Sequence, residues 1–263
     1  MAKRMNRKTR ELLGRDMVMA VDRGDITTVK KIIDRGFSVK GSGGSDDPLL
    51  YIAAWKGYSD IVELLANSGC RINAREKSKA GWTALHAACH MKYPDTVELL
   101  IKLGADVNIV DDNHITPLFL AVVTDFRPDY CNRILNLLIK AGADVNRSDK
   151  TGWAPMHMAA CRNNAEAIRI LAKAGADINK KTKHGATPII SAAKRRGAAN
   201  AVVALIDLGA DLSVKYQKKT VLDILKNNYK EDYARIMQYI YMKERLTVED
   251  SIYRSGPVVD FDI

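Results

Sequence analysis

The sequence predicts an all-α protein built as a stack of repeated helix-turn-helix units. Two observations carry this prediction: a short apolar phrase recurs along the chain at a nearly constant period, and a glycine-containing phrase follows most copies. Such a period is typical of a stack in which each unit buries its apolar face only against its neighbours. The chain has 263 residues, 47% of them hydrophobic, which is enough to fill the interior of such a stack.

The first phrase consists mainly of apolar residues and alanine and reads as the first helix of each unit. Its copies are RDMVMAV (15–21), PLLYIAA (48–54), TALHAAC (83–89), TPLFLAV (116–122), APMHMAA (154–160), TPIISAA (187–193) and TVLDILK (220–226). From residue 83 onward the starts lie 33, 38, 33 and 33 residues apart. We place seven units near residues 14–40, 46–73, 81–108, 114–146, 152–179, 185–213 and 218–242.

The second phrase ends the second helix of each unit. Its best copies are LGADVN (103–108), AGADVN (141–146), AGADIN (174–179) and LGADLS (208–213). Glycine suits the left-handed backbone position after a helix, where a β-carbon would be strained. Each unit is therefore predicted to be a helix, a polar turn, a second helix and a glycine-containing loop.

Together the two phrases resemble the ankyrin repeat. The family pattern G-x-T-x-L-H-x-A is matched by GWTALHAA (81–88), and G-A-D-x-N is matched by GADVN (104–108). The resemblance covers nearly the whole chain. It implies an ankyrin-repeat solenoid: a curved, right-handed stack whose loops form β-turn fingers and whose first helices line a concave groove.

Departures from the pattern predict local differences. The fourth unit carries five extra residues between Val122 and Asn136, so its helix-helix turn is expected to protrude, and His114 replaces the usual loop glycine. The first and last units are degenerate, as capping units of an open stack must be. We expect a basic, flexible leader over residues 1–13 and a C-terminal tail over residues 243–263.

The formal net charge is +10, and half of it lies in residues 1–15, which hold six basic residues against Glu11. Such a cluster is typical of a nuclear import signal or of a contact for nucleic acid or acidic membrane. The alternative is a solvated terminal arm.

Composition narrows the class of protein further. No apolar run is long enough to span a membrane and the N-terminus lacks a secretory signal, which predicts a protein of the cytoplasm or nucleus. Cys70, Cys89, Cys131 and Cys161 are widely spaced without a CxxC pair, so we expect reduced thiols. We expect a monomer.

No cofactor, metal site or catalytic residue is predicted, and we expect a non-enzymatic protein. His86 and His90 lie four residues apart with Cys89 between them, a spacing that suits zinc ligands on one helix face. However, His86 occupies the slot that Phe119 and Ile190 fill in other units, so packing is the better interpretation. No hydrolase or kinase signature is present.

Partner contacts are expected at the finger tips and the ends of the first helices, because those side chains point into the groove. All three tryptophans fall in this set, and tryptophan, tyrosine and arginine dominate measured interface energies. The predicted partner-binding residues are Trp55, Lys56, Lys79, Trp82, His90, Met91, Lys150, Trp153, Arg162, Lys194, Arg195 and Tyr216. For Trp82 and Trp153 the alternative is packing across neighbouring fingers.

The groove positions as a whole hold nine basic residues and three acids, which predicts a positive groove for an acidic or extended protein partner. The function predicted is that of an interaction scaffold or regulatory adaptor. The alternatives are a nucleic-acid-associated regulator, because basic and aromatic residues interleave, and the recognition subunit of a ubiquitin-ligase or other modifying complex.

Two smaller patterns lie outside the groove. Asn108, Asn146 and Asn179 each end an L-x5-D-[V/I]-N phrase, which resembles the site of the asparaginyl hydroxylase that modifies ankyrin repeats. The alternative for these residues is a purely structural, finger-stabilising role. The last residues, Asp260 to Ile263, have apolar side chains at the spacing that PDZ-type grooves bind.

Overall fold

In a computed structural model of the chain, the described residues are 7–39, 49–77, 80–123, 128–228 and 230–254, and they form fourteen helices in pairs. The first helices are α1 (Arg7–Arg23), α3 (Leu49–Lys56), α5 (Ala84–Met91), α7 (Pro117–Val123), α9 (Pro155–Cys161), α11 (Pro188–Ala193) and α13 (Val221–Asn228). The second helices are α2 (Ile26–Asp34), α4 (Ser59–Asn67), α6 (Pro94–Lys102), α8 (Pro128–Lys140), α10 (Ala165–Lys173), α12 (Ala199–Asp207) and α14 (Lys230–Arg254).

The pairs stack in chain order. Each first helix packs against the first helix of the next pair, from α1 to α13, and each second helix packs against the next second helix, from α2 to α14. No strand occurs within the described ranges, where the one isolated β-bridge joins Tyr216 and Lys219. The all-α stack predicted from the repeats is confirmed.

Small residues let the first helices approach one another closely. Ala53, Ala87, Ala159 and Ala192 are fully buried in these helices. The second helices supply branched side chains to the same continuous core, such as Leu100 in α6. This division of small and large residues fills the interior between two rows of helices.

The turn inside each pair needs a left-handed backbone position. Gly57 has a φ of +78°, and a β-carbon there would lie 2.9 Å from the ring of Tyr93 in the next pair. The same position is held by Lys92 and Asn163 in later pairs, with φ of 60° and 53°. His114, the predicted replacement for a loop glycine, has a φ of 62° and does adopt the left-handed conformation.

Both ends of the chain differ from expectation. Residues 7–13 belong to α1, in which Arg7 pairs with Glu11 at 3.0 Å and Leu13 is buried against the core. At the other end α14 runs to Arg254, beyond the expected end of the last unit, and Tyr239 and Lys243 bond to Asp207 at the end of α12. The rest of the expected leader and tail, and the extra segment at 124–127, lie outside the described residues.

Across the described ranges, every helix is too short or too polar to cross a bilayer.

Candidate functional site

The loops before the first helices form a row of fingers, each closed by a backbone hydrogen bond. The Asp111 amide donates to the Ile115 carbonyl at 2.9 Å, and the Lys150 amide donates to Asn113 of the preceding finger at 3.0 Å. We call the surface made by these fingers and the last residues of the adjoining first helices the finger face. It comprises residues 76–77, 80–82, 111–115, 149–153, 182–186 and 216–219 with the last residues of α3, α5, α9 and α11.

Three aromatic rings from two neighbouring pairs meet on this face. The ring centroids of Trp55 and Trp82 are 6.2 Å apart, and His90 lies 5.7 Å from Trp55 and 5.1 Å from Trp82. The indole nitrogen of Trp82 donates to Asp111 of the next finger at 3.0 Å. We call Trp55, Trp82 and His90 the aromatic cluster. Because its rings touch one another, it offers a partner its half-exposed outer surface.

The contact between Trp82 and Asp111 bears on the alternative role for Trp82. It ties one finger to the next, as cross-finger packing would. Trp55 lies at the end of α3 and contacts Tyr51 at 6.0 Å in addition to the cluster. Trp153 lies in the fifth pair, two pairs beyond Trp82, and its ring is 5.8 Å from that of His157.

The predicted basic contacts are spread along the same face. Lys56 pairs with Asp22 at 3.1 Å, and the ammonium of Lys194 lies 4.6 Å from the ring centroid of Tyr216. Lys150 and Arg195 are exposed.

The remaining predicted contacts are less accessible or not described. Met91 is half-buried at the end of α5. Arg162 is half-buried and its backbone amide caps α9. Lys79 lies outside the described residues.

His86 has the packing role that the repeat slot suggests. The Thr83 amide donates to its Nδ1 at 3.2 Å, which leaves the proton on Nε2, and Nε2 lies 3.1 Å from the Ile115 carbonyl. Both ring nitrogens are therefore committed. Burial lowers the pKa of His86 to about 4, and burial also lowers the pKa of His157, whose Nε2 lies 3.1 Å from the Ala186 carbonyl.

A comparison of sequence families agrees with this geometry. The family described as "Ankyrin repeats (3 copies)" matches residues 50–131 and 127–216, which is more than half of the chain. The chain belongs to the ankyrin-repeat family. An ankyrin-repeat stack is an interaction module, although a tyrosine-protein kinase of Hydra vulgaris is among the proteins that share the similarity.

Proteins of different kinds are similar in sequence to parts of this ankyrin stack. An ankyrin repeat protein of Fowlpox virus (strain NVSL) is 31% identical over 156 residues, which is 59% of this chain and 46% of the viral protein. Protein phosphatase 1 regulatory subunit 27 of Homo sapiens is 35% identical over 111 residues, covering 42% of this chain and 68% of the human protein. The chain thus spans less than half the length of the fowlpox relative.

Among solved structures, the ankyrin repeat domain of Bcl-3, described as a unique member of the IkappaB protein family, is similar in fold. The TM-score is 0.67 at 26% identity, and the match covers 79% of this chain and 92% of that domain.

The three asparagines of the hydroxylation pattern bridge neighbouring ankyrin units. Asn146 accepts a hydrogen bond from the Asp177 amide at 2.8 Å and donates to the Gly175 carbonyl at 3.0 Å. Asn108 makes the same two bonds to the following loop, and Asn179 accepts an amide from the loop after α12. These contacts are those of the structural alternative, and hydroxylation stays a prediction.

Sequence reasoning missed Lys92, which is only 2% exposed. Its ammonium donates to the carbonyls of Leu120 at 3.1 Å, of Cys89 at 3.4 Å and of Ala121. These acceptors lie near the ends of α5 and α7, where the last carbonyls of a helix lack partners within it. One signal was available: Lys92 stands where Gly57 stands in the second pair.

Proposed function

We propose that this ankyrin stack is a non-catalytic scaffold or regulatory adaptor that holds an acidic, extended segment of a partner protein on its finger face. The aromatic cluster is the observation that carries the proposal. We place the protein in the cytoplasm or nucleus and expect it to act as a monomer.

The aromatic cluster is suited to anchor a partner. Trp55, Trp82 and His90 present half-exposed rings that are already held in place by contacts with one another. Large, rigid rings lose little conformational freedom on binding, and tryptophan is enriched among the residues that dominate interface energies. The name of the human relative, a regulatory subunit, is consistent with an adaptor role.

The test is capture of proteins from a cell lysate, with nuclease present, by the intact chain and by two variants. Trp55→Ala removes a cluster ring, and Tyr130→Ala removes an exposed aromatic ring on a second helix as the control. We expect a defined set of proteins to be lost from Trp55→Ala alone, with affinity reduced by about 2 kcal/mol or more.

Controls separate binding from folding. Melting curves of both variants show whether a loss of binding results from a loss of stability. Equal recovery by the intact chain and a folded Trp55→Ala variant would count against the cluster as the binding site.

A nucleic-acid-associated role is the second candidate, favoured by the basic residues around Tyr216. It predicts recovery that vanishes on nuclease treatment regardless of the variant. For a modifying complex, the prediction is instead that deletion of residues 243–263 abolishes the recruitment of an enzyme.

A further inference from the structure

The charge of the stack is divided unequally along its length. Residues 49–123, which contain the aromatic cluster, hold seven lysines and arginines against eight acids. Residues 180–226 hold ten against three. One end of the stack is therefore close to neutral, whereas the other end carries an excess of seven positive charges.

The basic residues of the second segment gather on the fingers and helix ends of the sixth and seventh pairs. We call this group the basic cluster: Lys180, Lys181, Lys183, Lys194, Arg195, Arg196, Lys215, Lys218 and Lys219. All are exposed except Lys180, which is half-buried. Lys194 stacks on Tyr216, so α11 and the seventh finger present their charges side by side.

The three acids of this segment leave the positive field largely intact. Asp211 and Asp223 accept hydrogen bonds from Ser213 and Thr220, and Asp207 pairs with Lys243 at 3.1 Å at the end of α12. Seven positive charges remain in excess over residues 180–226. A concentrated field of one sign raises the encounter rate of oppositely charged partners.

The stacking order sets the distance between the two clusters. Trp82 and His90 belong to the third pair, and the basic cluster begins at the sixth pair, three stacking steps away. Packed helices lie about 8–10 Å apart, which gives about 24–30 Å over three steps. An extended chain covers about 3.3 Å per residue, so this distance corresponds to roughly seven to nine residues.

We infer that the finger face binds a single extended protein segment in two parts, with an apolar anchor on the aromatic cluster and an acidic run on the basic cluster, separated by roughly seven to nine residues. This inference rests on the proposed function and adds the layout of the partner segment. Linking two weak contacts in one segment makes the second contact intramolecular and raises the overall affinity.

A protein segment fits this division of charge better than a nucleic acid does. A nucleic acid carries one negative charge per nucleotide along its whole length. The described finger face between residues 49 and 123 holds Lys56 and Lys77 against Glu76, Asp111 and Asp112, so it offers no net positive charge to the part that lay over it. A polypeptide carries acids at one end and apolar side chains at the other, so it matches both clusters.

The experiment selects binders from a displayed library of random peptides long enough to span both clusters. Three targets are used: the intact chain, Trp55→Ala, and the charge-reversed variant Lys183→Glu, Arg195→Glu, Lys219→Glu. The matched control is Lys30→Glu, Lys140→Glu, Lys173→Glu, which makes the same change in charge on exposed residues of α2, α8 and α10.

Peptides selected on the intact chain are expected to carry an apolar group and an acidic run at one preferred separation of roughly seven to nine residues. Charge reversal should remove the acidic enrichment and weaken selected peptides at least about ten-fold, which is about 1.4 kcal/mol. Trp55→Ala should remove the apolar enrichment. The control variant Lys30→Glu, Lys140→Glu, Lys173→Glu should retain both the apolar and the acidic enrichment.

Other outcomes separate this inference from the proposed function. Apolar and acidic enrichment at no preferred separation, or the same enrichment on the charge-reversed variant, would overturn the two-part layout and leave the scaffold role standing. No enrichment of peptides on any target would count against both. Tighter binding of a single-stranded oligonucleotide than of the selected peptides would favour nucleic acid instead.

Discussion

Buried polar side chains in this stack serve the packing between ankyrin units. His86 and His157 each lie in a first helix. Their Nδ1 atoms accept a backbone amide at the start of that helix, and their Nε2 atoms bond to a carbonyl in the next finger, so each ring joins two units. This arrangement requires the neutral ring, because the nitrogen facing the backbone amide must accept a hydrogen bond. Burial lowers the pKa of both residues and so favours the neutral ring.

The stability of the fold should therefore fall as pH falls through the window from about 6.5 to about 4. In this window the unfolded chain binds a proton at His86 that the folded chain excludes, so the stability present above about pH 6.5 is lost by up to about 1.4 kcal/mol per pH unit. Urea denaturation at several pH values measures the slope. His86→Gln should reduce it and His184→Gln, at an exposed finger tip, should not.

Lys92 shows a different use of a buried polar group. We expect Lys92→Met to lower the free energy of unfolding by about 1–3 kcal/mol, because it leaves the carbonyls of Leu120 and Ala121 without this donor. Urea denaturation provides the measurement. Lys140→Met, at an exposed position of α8, is the control and should change little. Equal stability of the two variants would show that water or backbone replaces the ammonium.

At the scale of elements, hydrogen bonds between loops join neighbouring units in addition to the packing of their helices. Asparagine side chains bond the loop of one pair to the loop of the next, and the fingers add backbone bonds of their own. Asn73 makes the same type of bond to the Asp106 amide, although Arg71 stands where the other copies have aspartate. The bridge therefore depends on the asparagine and not on the full phrase.

We expect Asn146→Ala to cost about 1–2 kcal/mol of stability, since it removes two hydrogen bonds between loops. Thermal or urea denaturation checks the value. The control is Asn200→Ala, which truncates an exposed asparagine of α12. A loss of similar size in the control would mean that the bridges contribute little.

If the phrase is modified, mass spectrometry of the chain produced with an asparaginyl hydroxylase should find one added oxygen atom at Asn108, Asn146 or Asn179. Asn73, which lacks the aspartate, is the internal comparison and should stay unmodified. Modification of Asn73 to the same extent would show that the phrase does not direct the enzyme.

At the scale of the whole molecule, the stack is one-dimensional, with each pair packed mainly on its neighbours. Such a stack can carry different chemistry at different positions, because a change in one finger does not disturb distant pairs. The aromatic cluster and the basic cluster use this freedom at separate places along one face.

Binding of an acidic partner should weaken as salt concentration rises. The basic cluster is exposed, and screening shortens the reach of its field from about 10 Å at ~0.1 M salt to about 3 Å at ~1 M. Affinity measured against ionic strength gives the slope, and charge reversal at Lys183, Arg195 and Lys219 should flatten it. Affinity independent of salt would indicate that the aromatic cluster alone carries binding.

Much of this architecture was predictable from the sequence, because the same pattern of packing residues recurs in successive units. Comparison of the copies identified the helix pairs, the loop position that His114 takes in place of glycine and the slot that His86 occupies. The ends were predicted less well, since α1 and α14 extend past the residues that the repeat covers.

By itself, the sequence determined the family, the order of the helices and the types of residue on the finger face, because these follow from local pattern and period. Only the tertiary structure decided which side chains meet. Trp55, Trp82 and His90 lie on two units and Lys92 reaches carbonyls of the next pair. Such contacts depend on how one unit is placed against the next, a geometry that no single repeat encodes.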